Sequence, residues 1–505
     1  MHVADLSWLY PAVVIGALVL CWIALRQPAP AGEDTAREDR WLAALAPPSA
    51  AVALGVLLTH LLYAPFDYWN QGRLCPSFAF RYGFAPYAPP DAGPILNTIY
   101  GPVTLLSYWP CSFASDPTTA TLAGSALSGT FYALPLLYVI ATASGWRVRL
   151  ALALFAFFIT FTITGLSYSA VRIHADAPAL LYGGLAAALL VRERSRPGFS
   201  AACAVAAVAA KQSMLPVLVA LPALAWWRSG AGACRGYVAR LGLAGAVALL
   251  LAASCFDLRV LAFNLVTIPA RGGSERLPPA ALADGAQMLV QQSVLLSIPL
   301  AYCALDRIDA RTVALAFVGA MLVPAAVVGR VREGGYDNNF SVTFYFLLLA
   351  LVHELAVRAG SPERGRAARC ALLAAVGVLT VAQVPSLFAL PRLCELLPAN
   401  AGEQAFACAR AHPGEVYFPY MPLSMLLAEG QLYHFEEGVH DRGRSGHEPT
   451  AAHYRAHLPP RMRALAWSDT ANDTNAPVAR RLLPEYHQPI ALPELPGWHV
   501  LGRQP

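Results

Sequence analysis

Long apolar runs separated by polar segments are the main pattern of the chain. Twelve such runs recur up to about residue 390, most of them about 14–24 residues long. They are Trp8–Leu25, Trp41–Ala64, Ala126–Gly145, Leu150–Leu166, Pro178–Val191, Phe199–Ala210, Met214–Trp227, Leu241–Cys255, Met288–Leu305, Val313–Val328, Ser341–Val357 and Ala371–Leu390. Backbone in hydrocarbon must satisfy its own hydrogen bonds, and the runs lack the alternation of barrel strands. We therefore predict an all-α polytopic membrane protein with about twelve transmembrane helices.

Arginine placement predicts how these helices cross the membrane. Short loops dense in Arg alternate with longer loops that are poor in basic residues, and the first set should be cytoplasmic. Both termini and the long segments Pro65–Ser125 and Phe256–Gln287 are then outside. The run Trp8–Leu25 lacks the basic start of a signal peptide, so we expect a retained helix. Ser200–Trp227 fits one long helix or two short ones joined at Lys211 and Gln212, and the flanking Arg clusters favour the hairpin.

The apolar runs end near residue 390, which predicts two domains. Residues 1–390 form a transmembrane domain with a large outer loop at 65–125, and residues 391–505 form a soluble outer-face, periplasmic domain. In the second domain, Gly414–Pro419 has the pattern of a strand and Leu426–Gly430 that of a helix. We expect a small α/β domain with its own core.

Composition narrows the class of protein further. The chain is 57% apolar and 13% charged, and its mean hydropathy is +0.48. A soluble globular protein carries about 25% charged residues, so a cytosolic enzyme and a disordered chain are excluded. The net charge of +5 is too small and too scattered for a nucleic-acid partner. The lipid bilayer is the expected environment.

Four cysteines fall on the predicted outer side. Cys75 and Cys111 share the first large loop, and Cys394 and Cys408 share the start of the soluble domain. Two local pairs on an oxidising side predict two disulfides, with four independent thiols as the alternative.

Several charged residues lie at the predicted outer boundary, where charge is costly and indicates function. Asp67 directly follows a span. Its carboxylate suits the binding of a proton or a metal ion, and the alternative is a helix cap. The short turn Arg172–Pro178 contains three titratable residues. Arg172 suits a phosphate, and His174 and Asp176 suit acid–base or metal chemistry. The alternative is a polar turn whose aspartate only caps the next helix. Lys211 is the single lysine of the chain and suits a phosphate, unless it is a snorkelling residue at a helix end.

Weaker candidates lie in the other outer segments. Arg271 begins an Arg-Gly-Gly-Ser-Glu-Arg segment in a long loop that could act as a lid, and Asp337, Asn338 and Asn339 stand directly before a span. Both segments are also typical of plain turns. The first loop contributes aromatic and proline-rich stretches that include Tyr87 and Tyr100 and suit sugar rings, lipid tails or a headgroup surface.

The sequence contains no P-loop, Rossmann fingerprint, nucleophile elbow or HExxH motif. Its predicted cytoplasmic loops are too short for a nucleotide-binding domain. Any chemistry is therefore expected at the outer face, on an activated substrate that arrives through the membrane, most simply attached to a lipid.

The order of these features resembles the GT-C superfamily of integral-membrane glycosyltransferases, which includes the protein O-mannosyltransferases and the bacterial aminoarabinose transferase of lipid A. The features are an acidic residue after an early span, a Gly-x-x-Pro-Tyr segment, Tyr-Gly-Pro, a short acidic turn, Lys-Gln and Gly-Gly-x-Asp-Asn-Asn. They stand at Asp67, Gly83–Tyr87, Tyr100–Pro102, His174–Pro178, Lys211–Gln212 and Gly334–Asn339.

The resemblance implies inverting transfer from a polyprenyl-phosphate sugar to a glycan, lipid or protein acceptor in a bacterial inner membrane, with the active site facing the periplasm. Asp67 would be the general base, Lys211 and Arg172 would hold the donor phosphate, and Asp176 and His174 would be acid, metal or sugar contacts. Many relatives carry two adjacent acidic residues where this chain has Asp67 alone. Dependence on a divalent cation, Mg²⁺ or Mn²⁺, therefore stays open.

Two other classes fit the same charges. A transporter of lipid-linked oligosaccharides would use them as a substrate path, although it would place them near mid-membrane. An O-antigen ligase or polymerase would take a diphosphate-linked glycan instead. Five further polar residues, His434, Glu436, Glu437, His440 and Asp441, have irregular spacing that indicates a polar surface more than a metal site.

Overall fold

The computed structural model describes residues 36–271, 279–332, 335–361, 364–468 and 476–503. The predicted span Trp8–Leu25, residues 272–276 of the segment that begins at Arg271, and Gly334 lie outside the described residues. Helices form most of the described chain as far as residue 411, and a small sheet follows.

The helices up to residue 396 include every long apolar one. They are α1 (Ala36–Tyr63), α2 (Tyr68–Arg81), α3 (Pro102–Ser107), α4 (Pro117–Ile140), α5 (Trp146–Thr162), α6 (Thr164–Val171), α7 (Asp176–Val191), α8 (Pro197–Ala210), α9 (Val217–Cys255), α10 (Leu258–Ala262), α11 (Ile268–Arg271), α12 (Pro279–Ala304), α13 (Ala310–Val331), α14 (Ser341–Gly360), α15 (Gly365–Gln383) and α16 (Leu390–Leu396).

The predicted apolar runs after the first fall mainly on these helices, so the helical class of the membrane region is confirmed. Among the described residues, six helices are long and apolar enough to cross a membrane, or seven if α5 and α6, bent by 105° at their junction, form one span. Helices α7 and α8 are apolar but have only 16 and 14 residues. The chain is therefore a multi-pass membrane protein, and the count of twelve spans stays a prediction.

The chain breaks its helical course twice between residues 197 and 255. Helix α8 ends at Ala210, Lys211 is extended with φ −142° and ψ 126°, and one 3₁₀ turn, Gln212–Met214, precedes α9. Within α9, Gly230 has φ 79°, which glycine adopts without steric cost, and two helices meet there at a kink. The predicted runs Met214–Trp227 and Leu241–Cys255 lie on either side of that kink.

The C-terminal part combines short helices with one mixed sheet. Its helices are α17 (Ala401–Ala411), α18 (Pro422–Glu429), α19 (Glu436–Arg444), α20 (Ala451–Arg455) and α21 (Pro477–Leu482), and its strands are β1 (Val416–Tyr417), β2 (Ala464–Ser468), β3 (Tyr486–Pro489) and β4 (Trp498–Arg503). The strand order is β1-β2-β4-β3, with β1 parallel to β2 and the other pairs antiparallel.

The core of the C-terminal part is shared with the first large loop, residues 65–125. Phe78 of α2 and Leu96 belong to the same buried apolar cluster as Tyr417, Phe435 and Val439. The expectation of an independent core therefore differs from the structure, because the first loop supplies one side of it. The division at residues 390 and 391 stays a prediction.

The two predicted disulfides are absent from the structure, in which Cys75, Cys111, Cys394 and Cys408 are free thiols. Cys394 is exposed on α16, whereas Cys408 is buried in the apolar cluster. Cys75 and Cys111 are both buried, and burial raises the pKa of Cys111 to about 12 and that of Cys75 above its usual range. Their stable form is the protonated thiol, whereas the thiolate is the form that reacts.

Thiol labelling checks this arrangement. Without reductant, we expect a maleimide to label Cys394 in the native protein and Cys75, Cys111 and Cys408 only after unfolding, because the last three are buried. Mass spectrometry of the digested protein identifies the labelled positions. Failure of a pair to label in denaturant until reductant is added would contradict the free-thiol state.

Candidate active site

Asp67 lies where α1 gives way to α2. The 3₁₀ turn Ala64–Phe66 follows α1, and Asp67 caps α2 by accepting a hydrogen bond from the backbone N–H of Trp69 at 3.1 Å. Its other carboxylate oxygen, Oδ2, accepts one from Nη1 of Arg172 at 2.7 Å, and the two side chains are 16% and 23% exposed. The predicted base and the predicted phosphate ligand are therefore ion-paired with each other.

The turn between α6 and α7 buries its acidic residue. Nδ1 of His174 lies 2.6 Å from Oδ2 of Asp176, and Nε2 of His174 lies 2.7 Å from the hydroxyl of Tyr100. Burial lowers the pKa of His174 to about 4, so its imidazole is neutral. A proton on Nδ1 faces the carboxylate, and Nε2 then accepts from Tyr100.

Asp176 has no exposed surface and holds several groups together. Its Oδ1 forms an ion pair with Nζ of Lys211, and its Oδ2 accepts a hydrogen bond from Nδ2 of Asn338 at 2.6 Å. The Lys211 side chain is 7% exposed and reaches Asp176 because the backbone is extended between α8 and the 3₁₀ turn. This geometry supports a role for Asp176 in positioning Lys211 rather than in contacting a substrate.

Two hydrogen bonds join the first loop to the end of α8, beside Lys211. The backbone N–H of Gly101 donates to the carbonyl of Ala210 at 3.2 Å, and Oγ1 of Thr104 donates to the same oxygen at 3.0 Å. A β-carbon at Gly101 would overlap the carbonyl oxygen of Ala209. The close approach needs glycine and fixes Tyr100 next to Lys211.

A cavity of about 620 Å³, the polar cavity, lies where these segments meet. Seven predicted site residues line it: Asp67, Tyr100, Arg172, His174, Lys211, Asn338 and Asn339. A second cavity of about 540 Å³, the apolar groove, adjoins it and is walled by Leu265, Val266, Ile268 and Pro269. Both cavities share Ile99, Tyr100, Lys211, Asn339, Asp441 and Arg444.

Besides the buried Asp176, three predicted site residues do not line the polar cavity. Tyr87 donates a hydrogen bond from its hydroxyl to the carbonyl of Tyr100 at 2.9 Å, so it supports the loop that carries Tyr100 without lining the polar cavity. Asp337 accepts from Nε of Arg330 at 2.7 Å and from Gln292 at 3.2 Å. The Arg271 guanidinium lies 3.1 Å from the His447 ring.

Helix α19 contributes cavity residues that the sequence interpretation assigned to a polar surface. Glu437, His440 and Asp441, three of the five residues so assigned, line the polar cavity, and Arg444, which the sequence interpretation did not single out, lines it with them. Burial raises the pKa of Glu437, and burial together with the nearby Glu437 raises the pKa of Asp441 to about 7. The spacing of four between Glu437 and Asp441 predicts one shared helix face, but the sequence does not say what that face contacts. Arg73, whose guanidinium donates to the Tyr168 hydroxyl at 2.8 Å, was also missed.

The acidic residues do not form a metal site in the described part of the chain. No group of three or more His, Cys, Asp or Glu residues there is arranged to hold an ion. Both oxygens of Asp67 already have partners, and those of Asp176 are bound by Lys211, Asn338 and His174. The described residues therefore do not fit the divalent cation left open above.

Comparisons with known proteins give one kind of similarity. No family model and no curated protein matches the chain. Among solved structures, it is similar to the crystal structure of ArnT from Cupriavidus metallidurans in the apo state, with 12% sequence identity over 99% of this chain and 98% of that one and a TM-score of 0.46.

Proposed function

We propose that the protein is a membrane glycosyltransferase that moves a sugar from a polyprenyl-phosphate donor to a lipid, glycan or protein acceptor. The observation that carries the proposal is the position of Lys211, a buried ammonium at the junction of an apolar groove and a polar cavity. A lipid tail requires apolar walls, its phosphate requires cations, and its sugar requires a polar space. Apolar walls, cations and a polar space lie side by side at this junction, and this arrangement supports the proposal.

The groove suits the lipid-linked donor. Its apolar walls come from residues 265–269, and Lys211, Arg332 and Arg444 add positive charge. Nε of Arg332 is buried without a hydrogen-bond partner, so it offers a donor that an anionic headgroup would satisfy. Arg172 faces the other cavity in an ion pair with Asp67, and Lys211 with these two arginines is therefore the better phosphate set.

The polar cavity suits the reacting sugar and the acceptor. Tyr68, Trp69, Tyr168 and Tyr336 line it with flat aromatic faces, which stack on sugar rings. Transfer requires a base for the acceptor hydroxyl and electrostatic support for the departing phosphate. The sequence prediction gave the first role to Asp67, and Lys211 supplies the second. We place the reaction at the periplasmic face of a bacterial inner membrane, because the long, Arg-poor loops that form the cavity belong on the outer side.

Donor turnover in proteoliposomes tests this proposal. Purified protein in total bacterial lipid extract is supplied separately with undecaprenyl-phosphate-linked mannose, aminoarabinose and galacturonic acid, and with an undecaprenyl-diphosphate-linked glycan. The released undecaprenyl phosphate or diphosphate is measured. We expect release and sugar transfer from one of the phosphate-linked sugars. The Arg392→Gln variant, at an exposed ion pair with Glu395 on α16, is the matched control and should keep wild-type activity. Turnover of a diphosphate-linked glycan alone, or of none of the donors, would contradict the proposal.

A further inference from the structure

Helix α19 is held firmly against the first outer loop. The backbone N–H of Phe435, just before the helix, donates to the carbonyl of Ile95 at 2.8 Å. A β-carbon at Gly438 would lie 2.5 Å from the carbonyl carbon of Leu96, so the helix approaches the loop as closely as glycine permits. The side chain of Asn97 then donates to Oδ2 of Asp441 at 2.6 Å. The C-terminal part thus presents a fixed carboxylate to the polar cavity.

The four carboxylates near the reaction space differ in what occupies their oxygens. Asp67 uses one oxygen as a helix cap and the other in its Arg172 ion pair. Asp176 is fully buried and bound to Lys211, Asn338 and His174. A proton acceptor needs an oxygen that a substrate can reach, and Asp176 has none. At Asp67, an acceptor hydroxyl would compete with the Arg172 guanidinium and the Trp69 N–H for the carboxylate oxygens.

Glu437 and Asp441 are the other two. The Tyr68 hydroxyl donates to Oε1 of Glu437 at 2.8 Å, and Asn97 occupies only Oδ2 of Asp441. Among the described residues, Asp441 is the carboxylate that lines both the apolar groove and the polar cavity. It shares that junction with Lys211, where the bond between the donor's phosphate and its sugar would lie.

We infer that Asp441, supplied by the C-terminal part of the chain, is the general base that deprotonates the acceptor hydroxyl, and that Asp67 is a positioning residue that holds Arg172. The inference rests on the proposed function and deepens it. In the step, the acceptor oxygen forms a bond to the anomeric carbon while its proton passes to Asp441. The bond between that carbon and the phosphate oxygen breaks, and its electron pair leaves with the polyprenyl phosphate beside Lys211.

The environment of Asp441 agrees with this role. Burial and Glu437 raise its pKa to about 7, against the opposing effects of Arg444 and Asn97. A base whose pKa is near the working pH is ionised in a large fraction of the molecules and still has a high affinity for the proton. The other titratable groups that line this junction are Tyr100, Lys211 and Arg444, with Glu437 and His440 on the same helix. Transfer should therefore rise with pH through about 7 as Asp441 ionises.

Paired isosteric variants test the inference in the proteoliposome assay. We expect Asp441→Asn to lower the transfer rate by about 10²–10⁴-fold and to remove the rise near pH 7, with undecaprenyl phosphate binding within twofold of wild type. Asp67→Asn should lose less than about tenfold and keep the pH profile, since it contacts Arg172 rather than the acceptor. Formate should restore part of the activity of Asp441→Ala, as a small carboxylate acting in place of the lost base.

The outcomes separate the base assignment from the function itself. An active wild type with Asp441→Asn above a tenth of its rate, or with Asp67→Asn as impaired as Asp441→Asn, overturns the assignment and leaves the glycosyltransferase intact. Loss of undecaprenyl phosphate binding in Asp441→Asn also overturns it, because the damage would then extend to the donor site. A wild type with no transfer overturns both. Melting temperatures of the variants confirm that each one folds.

Discussion

Replacing Lys211 with methionine should lower sugar transfer by about 10²–10³-fold and the free energy of unfolding by about 3–5 kcal/mol. The ammonium is one of two cations at the junction of groove and cavity, with Arg444, and it is also the ion-pair partner of a carboxylate with no exposed surface. Methionine fills a similar volume but leaves Asp176 buried without its cation. Donor turnover and denaturant unfolding in detergent measure the two losses separately.

A second substitution separates catalysis from stability. In the Lys211→Met/Asp176→Asn double variant, the buried charge is gone, and the amide still offers an oxygen to Asn338. We expect stability to recover by at least about 1 kcal/mol relative to Lys211→Met, while transfer stays as low as in the single variant. A single variant within about 1 kcal/mol of wild type, or a double variant with restored transfer, would contradict the assigned roles.

The helical part of the fold could be predicted because hydrocarbon imposes one solution on the backbone. Apolar runs such as Ser341–Val357 and Val313–Val328 lie within α14 and α13. The break at Lys211 left two readings open in the sequence, and the structure has the helix ending at Ala210. The sequence around Lys211 does not show that Asp176, with its partner Asn338, lies beside Lys211 in the fold. That contact depends on how three separate helices pack.

The cavity residues that come from the C-terminal part were harder to predict than the charged residues that stand beside the apolar runs. Asp67, His174 and Lys211 stand beside apolar runs, where their cost makes them conspicuous. Asp441 stands in a polar stretch of the C-terminal part, where a carboxylate is ordinary. Its position over the junction follows from the close approach of Gly438 to Leu96, a contact between residues more than 300 positions apart. Likewise, the sequence analysis gave Asp67 and Arg172 separate roles, as general base and as phosphate ligand, and did not predict the ion pair between them.

Substituting alanine for Gly101 should cost about 1–3 kcal/mol of stability and lower transfer by about 100-fold. The added β-carbon meets the backbone carbonyl of Ala209, which has no rotamer with which to move aside. The loop must shift, and Tyr100 moves away from His174 while the hydrogen bond to Ala210 next to Lys211 is lost. A displacement of about 1 Å at reacting groups is enough for the loss of rate.

The matched control is Gly242→Ala on α9, where the same β-carbon meets open space. Because alanine favours a helix interior by about 1 kcal/mol over glycine, this variant should be as stable as wild type or more so, with unchanged transfer. Unfolding in denaturant and donor turnover measured on both variants give the comparison. If Gly101→Ala keeps half or more of the wild-type rate, the seating of the first loop against α8 does not set the geometry of the junction, and the active site must draw its precision from elsewhere.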